Sequence, residues 1–430
     1  MNTSVCLLLA VTLTSVAACR DRSDDESFGE DSNAVTGGSV DGGSVEPPVE
    51  PPPIEDPEPK VDIDGLPLPE LSTTHDYEAY LTAQPRYYTE ITSPFGNVRL
   101  QDNTPFSNPV TNTGANLGRI LFYDVRLSAN NTKACASCHI QKHGFTDPAK
   151  FSVGFDGGAT GRHSMGLSNA TYYRPKSFFW DERAKTLEEQ VLMPIQDPVE
   201  MGMNLFDLEV KLAATSFYAA MFEQVFGDEA ITSQRISLAL AQFIRTMVSY
   251  QSKFDQAFMA GEWDEPDFAA VFTEQEMLGH KLFSGFGGRE DSLDCIACHQ
   301  TSAHTMDRSH VNGLDADTSD DQGAGGGFFK SPSLRNIAVG APYMHDGRLA
   351  TLMDVVEFYN SGVQPHPNLS PDLRRNRDPN GPPVRFNLSQ EEKEALVAFL
   401  ETLTDEAFLT NPIFADPFPE VVSETTDVEE

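Results

Sequence analysis

Apolar residues recur at spacings of three and four along much of the chain, which is the pattern of amphipathic helices. Residues 232–254, "TSQRISLALAQFIRTMVSYQSKF", begin with two hydroxyl residues of the kind that cap helices. The apolar stripe of this segment is formed by Ile236, Leu240, Phe243, Ile244, Met247 and Val248. Strand-like alternation is scarce, and stretches such as "QGAGGG" indicate surface loops. The pattern predicts a mainly α fold.

Two further helix starts carry the spacing of a capping box, in which a hydroxyl and a carboxylate three residues later satisfy each other's backbone N–H groups. Ser389 and Glu392 open "SQEEKEALVAFLETL". Its apolar stripe is formed by Leu396, Phe399, Leu400 and Leu403. Thr186 and Glu189 open "TLEEQV" in the same way. We expect a helix to begin at each of these positions.

One segment of the chain occurs twice. "LGRILFYDVRLSANNTKACASCH" begins at Leu117, and "LGHKLFSGFGGREDSLDCIACH" begins at Leu278. Each contains Leu-Gly-x-x-Leu-Phe, followed by Cys-x-x-Cys-His. A single repetition over this distance predicts two copies of one domain in tandem.

The Cys-x-x-Cys-His pattern has a chemical meaning. Each cysteine can form a thioether with one vinyl group of a haem, and the histidine is placed to bind the iron. A zinc half-site would need a second cysteine pair close in space, and a redox dithiol does not need the histidine. We therefore expect two covalently bound haem c groups. The residues that would hold them are Cys135, Cys138, His139, Cys295, Cys298 and His299.

The other two of the six cysteines, Cys6 and Cys19, belong to the N-terminal run "VCLLLAVTLTSVAAC". This run is short for a membrane span and ends in small residues, as a signal peptide does. "VAAC" resembles a lipoprotein cleavage box, which would make Cys19 the lipid anchor; a plain secreted signal is the alternative. In either case we expect the periplasm or cell envelope. The lipid on Cys19 would be the protein's only contact with a membrane, and we expect that membrane to be the outer membrane.

The net charge of −35 argues against nucleic acid as a partner. Part of it lies between Arg20 and about Glu70, a segment rich in Asp, Glu, Pro, Gly and Ser that predicts a disordered tether. The acidic surface would either steer a basic redox partner or simply keep the protein soluble. The predicted parts are a signal peptide at 1–19, the linker at 20–72, cytochrome c-like haem domains at 73–262 and 263–412, and an acidic tail at 413–430.

Two longer motifs flank the cysteine patterns. They are "FFWDERAKTLEEQVLMPIQDPVEMG", from Phe178 to Gly202, and "SPSLRNIAVGAPYMHDGRLATLMDVVEFYNSG", from Ser331 to Gly362. With the two haem motifs, in this order, they resemble the bacterial di-haem cytochrome c peroxidase family. The resemblance implies one open peroxidatic haem and one six-coordinate haem that relays electrons, because peroxide needs an iron with a free position.

By this resemblance, the haem at His139 is the reactive one, and its distal side is lined by Gln190, Pro194 and Glu200. A carboxylate at Glu200 would take a proton from peroxide and return it to the departing oxygen; the alternative is a surface carboxylate at a helix end. Trp180 would lie between the haems and carry electrons, unless it is only a packed aromatic.

The sixth ligand of the second haem departs from much of the family. The helical position that elsewhere holds a methionine is Tyr359 here, and Met344 and Met353 are out of register. Tyrosine at this position is similar to the MauG-like branch, which stores two oxidising equivalents across both haems and modifies tryptophans of partner proteins. A phenolate would lower the haem potential. The alternative is that Tyr359 only packs on its helix.

Two other departures concern histidine. The loop "FSVGFDGGATG" lacks the removable distal histidine of other members, and His143 and His163 flank it out of register. The resemblance also implies a calcium ion held by the carbonyls of Gly340 and Pro342. His163 stands where the family has an asparagine ligand, and imidazole is a poor calcium ligand. We read "DADTSDDQG" as an acidic loop.

Three functions follow as hypotheses. The first is a peroxidase that reduces hydrogen peroxide with electrons from a small redox protein, a cytochrome c or a cupredoxin. The second is a MauG-like oxidase that uses peroxide to modify a protein substrate. The third is a di-haem electron carrier, against which Gln190 and Glu200 argue.

Overall fold

The structure is a computed structural model that describes residues 61–62, 64–90, 98–173, 178–285, 293–305 and 308–419. The predicted signal peptide with Cys19, the linker up to residue 60 and residues 420–430 of the tail lie outside this description. Among the described residues, no helix is both long and apolar enough to cross a membrane.

The described chain is mainly helical, as predicted. The α-helices are α1 (Tyr77–Thr82), α2 (Arg86–Thr89), α3 (Asn112–Tyr123), α4 (Leu187–Gln190), α5 (Leu192–Gln196), α6 (Leu205–Ala213), α7 (Tyr218–Phe226), α8 (Ser233–Thr246), α9 (Lys253–Ala260), α10 (Phe268–Val271), α11 (Glu274–Phe283), α12 (Leu352–Glu357), α13 (Gln390–Glu401) and α14 (Glu406–Leu409). A π-helical turn, Phe358–Gly362, continues α12. The 3₁₀ turns are Arg99–Gln101, Val125–Leu127, Cys135–Ser137, Gln141–His143, Ala170–Tyr172, Cys295–Ala297, Ile337–Val339, Pro371–Leu373, Arg375–Arg377 and Pro412–Phe414. In the described ranges, β structure is limited to isolated bridges.

The capping signals place two helix starts correctly. Ser389 and Glu392 form the reciprocal box at the start of α13. Thr186 caps α4, but Glu189 Oε2 accepts the N–H of Lys185 at 2.7 Å rather than that of Thr186. Only half of the second predicted box is therefore formed.

The apolar stripe predicted for α8 continues beyond the end of the helix. The helix ends at Thr246, and Met247 leaves the helical conformation with ψ at 64°. Its carbonyl accepts the N–H of Asn169 at 2.8 Å. Met247 and Val248 are nevertheless fully buried, so the apolar pattern identified core residues but not the helix end.

The sequence repeat is a structural repeat of one helix pair. A Cβ atom on Gly118 of α3 would lie 2.0 Å from the carbonyl oxygen of Ala239 in α8. In the second copy, a Cβ atom on Gly279 of α11 would lie 1.9 Å from the carbonyl oxygen of Ala395 in α13. Both glycines also face a phenylalanine Cβ at 2.8 Å. The glycine of each Leu-Gly motif therefore lets two helix backbones pack closely.

Each helix pair has its own buried core, but the ends of the described chain cross between the two. Phe408 and Phe414 pack in the first core, although they follow the second haem motif. Tyr87 stacks on Phe258 of α9 in the second core, at a ring distance of 3.8 Å. The predicted domain boundary between residues 262 and 263 stays a prediction. Helix α9 precedes this boundary in the sequence but packs with the second core.

The ranges predicted for the linker and for the acidic tail each include residues that belong to the folded body. Arg126 is buried and pairs with Asp62 at 2.7 Å and with Asp124 at 2.9 Å. Because a buried guanidinium needs anionic partners, Asp62 is held against the body although it belongs to the predicted linker. Phe414 has no exposed surface, so the first residues of the predicted tail are part of the core.

Candidate active site

The first Cys-x-x-Cys-His motif forms a 3₁₀ turn at the edge of the first core. His139 is half-buried, and its Nδ1 lies 2.8 Å from the carbonyl oxygen of Phe145. Phe145 reaches this position with a φ of 61°. Burial lowers the pKa of His139, which favours the neutral imidazole. With Nδ1–H donating to a carbonyl, Nε2 carries the lone pair that an iron ligand requires.

Glu200 lies close to this motif. Its carboxyl group is half-buried, and burial, followed by the negative charge of Asp197, raises its pKa to about 6, while Arg183 opposes the shift. Burial raises the pKa of the Cys135 thiol to about 12, with smaller contributions from Cys138 and Glu200. The structure therefore brings Glu200 and the first pair of thiols together. A carboxyl group with a pKa near 6 can exchange protons at neutral pH.

A short turn fixes the backbone position of Glu200. Asp197 Oδ1 accepts the N–H groups of Val199 at 2.8 Å and of Glu200 at 3.1 Å. The carbonyl of Glu200 accepts the N–H of Phe155 at 2.9 Å. Gln190 ends α4 and Pro194 lies within α5, both half-buried and both earlier in the same segment. Their distal role stays a prediction.

The second motif opens onto a large cavity of about 1800 Å³, including its mouth. Cys295, Cys298 and His299 line it, as does Tyr359. Burial raises the pKa of both thiols to about 12. Burial lowers the pKa of His299 to about 4, against the opposing effect of the His304 carbonyl. Two thiols, a neutral imidazole and a phenol around one apolar cavity fit a covalently attached haem.

Tyr359 is held by an amide. It lies in the π-helical turn, and burial raises its pKa, while a hydrogen bond from Asn312 acts in the opposite direction. Asn312 Oδ1 accepts the N–H of Leu314 at 3.0 Å, so its amino group faces Tyr359 and the Sδ of Met344, which lies at 3.6 Å. Met344 therefore reaches the same cavity wall, although the register of the motif excludes it. Ligation by Tyr359 stays a prediction.

Trp180 lies at the junction of the two halves. It follows Phe178 and Phe179, which pack in the first core, and it also lines the second cavity. Its Nε1 donates to the carbonyl of His163 at 2.8 Å. Its ring meets the ring of His345 edge to face, at 6.4 Å. The structure therefore places Trp180 at the second cavity, and its role as a relay stays a prediction.

The predicted calcium contacts are close together. Gly340 and Pro342 line the second cavity, as do His143 and His163. His163 is buried, with Nε2 at 3.1 Å from Thr146 Oγ1 and Nδ1 at 3.2 Å from the carbonyl of Lys150. Among the described residues, no group of three or more His, Cys, Asp or Glu side chains could hold a metal ion. The calcium ion stays a prediction.

The acidic loop is used in ion pairs. Arg162 Nη2 lies 2.7 Å from Asp321, and Arg162 Nη1 lies 2.6 Å from Asp181, next to Trp180. Arg348 holds Asp315 at 2.7 Å. The loop of the second half is therefore tied to the segment that carries Trp180.

The sequence did not single out three residues that shape these sites. Asp197 contacts the backbone of Glu200 and Asn312 contacts Tyr359; Asp197 belongs to the Phe178–Gly202 motif without being singled out there, and no pattern marks Asn312. Lys330 lines the second cavity and is 3% exposed. Its position directly before the Ser331–Gly362 motif was the one available signal.

Comparison with known proteins agrees with this geometry. A family model described as di-haem cytochrome c peroxidase matches residues 112–264. The chain is 34% identical over 309 residues to the methylamine utilization protein MauG of Methylophilus methylotrophus, covering 70% of this chain and 84% of that protein. It is 33% identical over 315 residues to a cytochrome c551 peroxidase of Nitrosomonas europaea, covering 68% and 80%. A crystal structure of a MauG-like protein associated with microbial copper homeostasis matches with a TM-score of 0.61 at 32% identity, covering 73% of this chain and 95% of that one.

Proposed function

The chain belongs to the di-haem cytochrome c peroxidase family, in its MauG-like branch, and is a haem-dependent peroxidase; we propose that its two haem sites have different tasks. Peroxide is reduced at the site near Glu200, and electrons pass to it from the site near Tyr359. The observation that carries this division is the placement of a proton-exchanging carboxyl group beside the first pair of thiols, at a pKa of about 6.

Both haems are attached through thioethers in this proposal. Cys135 and Cys138 hold the first, and Cys295 and Cys298 hold the second. When bound, the first haem supplies an iron with a free position for peroxide, and the second supplies the electrons. His139 supports this assignment because its Nδ1 is already engaged with a backbone carbonyl.

Glu200 moves the proton. Reduction of one hydrogen peroxide to two waters consumes two electrons and two protons. The Glu200 carboxylate would take a proton from one oxygen of peroxide and return it to the other oxygen, so that water and not hydroxide leaves. Gln190 would orient the peroxide by hydrogen bonding.

Electrons enter from a small redox protein at the second site. Ile296, between the two attaching cysteines, is 40% exposed, so this edge of the second site faces solvent. Trp180, which lines the second cavity, would carry the electrons on toward the first site. A small redox protein as partner implies that the protein is exported to the cell envelope, with Cys19 as its lipid anchor.

A second candidate function rests on Tyr359. A phenolate on the second iron would lower its potential, which disfavours electron uptake from a high-potential donor. It would favour a MauG-like role, in which the oxidising power of peroxide is passed through Trp180 to a docked protein. The hydrogen bond from Asn312 supports this reading because an N–H donor stabilises the phenolate.

The experiment is a redox titration of both haems, with peroxide turnover, in wild type, Tyr359→Met and Tyr359→Phe. Tyr343→Phe is the matched control, because it removes a phenol from the same cavity whose hydroxyl only donates to the carbonyl of Ile337. Tyr359→Met should raise the second potential and increase turnover with a reduced cytochrome c. An unchanged second potential would make Tyr359 a packing residue. A wild-type protein that binds both haems but consumes no peroxide would contradict the peroxidase proposal.

A further inference from the structure

Lys330 is a buried cation at the wall of the second cavity. It is 3% exposed, and among the described residues its Nζ has no hydrogen-bond partner. The Nζ lies 4.3 Å from the centre of the Tyr173 ring, and the backbone N–H donates to the carbonyl of Trp180 at 2.9 Å. Burial lowers the pKa of Lys330 to about 8. The ammonium therefore lies over the Tyr173 ring without a hydrogen-bonded anion, and the backbone of Lys330 is joined to that of Trp180.

A buried ammonium is costly unless an anion or several acceptors surround it. The charge of Glu182 raises the pKa of Lys330, against the effect of burial. Among the described residues, however, neither Lys330 Nζ nor Glu182 Oε1 has a hydrogen-bond partner. The other cation that lines this cavity, Arg335, is already committed to Asp255 at 2.8 Å. Lys330 is thus the uncommitted cation of the cavity wall in the described chain.

We propose that Lys330 Nζ binds a carboxylate of the haem held in the second cavity. A haem carries two propionate groups, and a cavity lined mainly by apolar side chains must pair them with cations or water. This inference rests on the proposed attachment of that haem at Cys295 and Cys298.

The ion pair has an electrical consequence. An unpaired carboxylate near an iron favours the ferric state, because the negative charge stabilises the extra positive charge. Pairing with Lys330 offsets that charge. Removing the ammonium should therefore lower the reduction potential of the second haem and leave the first haem nearly unchanged.

The test compares wild type with Lys330→Met, Lys330→Gln and Lys330→Arg. Lys281→Met is the matched control, because Lys281 is exposed in the same half and does not line the cavity. Haem content is measured first, by intact mass. Both potentials are then titrated at constant ionic strength, with chloride or acetate as the anion.

Lys330→Met and Lys330→Gln should lower the second potential, Lys330→Arg should restore most of the shift, and Lys281→Met should have no effect. A second potential that stays unchanged in both neutral variants overturns the proposal. So does a wild-type potential that depends on acetate and loses this dependence in Lys330→Gln, because the anion is then a free one. Absence of the second covalent haem in wild type would instead refute the proposed attachment.

Discussion

Replacement of Glu200 by glutamine tests the proton-transfer role directly. Glutamine keeps the size of the side chain but cannot accept and return a proton. General acid–base groups contribute about 10²- to 10⁴-fold, so we expect the rate of peroxide reaction to fall by that factor, or about 3 to 5 kcal/mol of barrier. Glu189→Gln is the matched control, because Glu189 is exposed in the same segment.

The pH dependence follows from the raised pKa. The carboxyl group must be ionised to accept the proton, and its pKa is about 6. At pH 7 roughly nine-tenths of the molecules are competent, and each unit of pH below 6 lowers the rate about tenfold. Stopped-flow measurement of the Soret band after mixing with peroxide gives this profile.

Two charge variants should move the acidic limb in opposite directions. Asp197→Asn retains the Oδ1 acceptor for Val199 and Glu200 but removes the negative charge, so the limb should shift to lower pH. Arg183→Gln removes an opposing positive charge, so the limb should shift to higher pH. Glu200 is not the proton carrier if Glu200→Gln reacts at the wild-type rate. The same conclusion follows if the acidic limb of the pH–rate profile shifts in neither Asp197→Asn nor Arg183→Gln.

The same carboxyl group has a cost in stability. Its folded pKa of about 6 lies above the ordinary value of 4.5, so ionisation in the folded state is penalised above about pH 6 and the penalty is absent below about pH 4.5. The shift corresponds to roughly 1 to 2 kcal/mol. Glu200→Gln should therefore raise the free energy of unfolding at neutral pH by up to this amount and have little effect in acid.

Three further outcomes are expected. Cys135→Ala and Cys295→Ala should each remove one covalent haem from the intact mass; an unchanged mass would contradict thioether attachment. Gly279→Ala should destabilise the protein by about 1 to 3 kcal/mol in thermal unfolding, because the new methyl group meets a backbone carbonyl, whereas Gly161→Ala, which meets nothing within 4 Å, should be nearly neutral. Chelation with EDTA should leave the spectra of both haems unchanged because His163 replaces a calcium ligand; a spectral change reversed by calcium would show that the ion is bound.

Local signals in the sequence predicted the features that depend on neighbours along the chain. The Ser389 capping box needs only four residues, and the start of α13 follows from it. The Leu-Gly repeat indicated the domain duplication, since Gly118 and Gly279 each contact a helix that lies far away in sequence but at the matching place in its own copy. Glu200 was identified by its motif, and its raised pKa supplies a physical reason for the assignment.

Features that depend on distant partners were not predictable. Asp62 belongs to a segment of linker-like composition, and its ordered position depends on the buried Arg126. Phe414 follows the last predicted helix without a periodic pattern, yet it fills the first core. Lys330 is a single lysine in a loop, and only the fold shows that it is buried without an anion.

The duplicated helix pair supports two unlike sites because the side chains that distinguish the sites lie in segments outside the pair. Both copies use a glycine to bring two helices together and to place a Cys-x-x-Cys-His turn beside them. What differs is the segment added to each copy: one carries Glu200 and Trp180, and the other carries Lys330 and Tyr359. These segments meet where the backbone carbonyl of Trp180 accepts the N–H of Lys330. A duplication that kept both sites identical would offer two places for peroxide and no relay. In the proposed function, divergence in the added segments is therefore what separates peroxide reduction at one site from electron supply at the other.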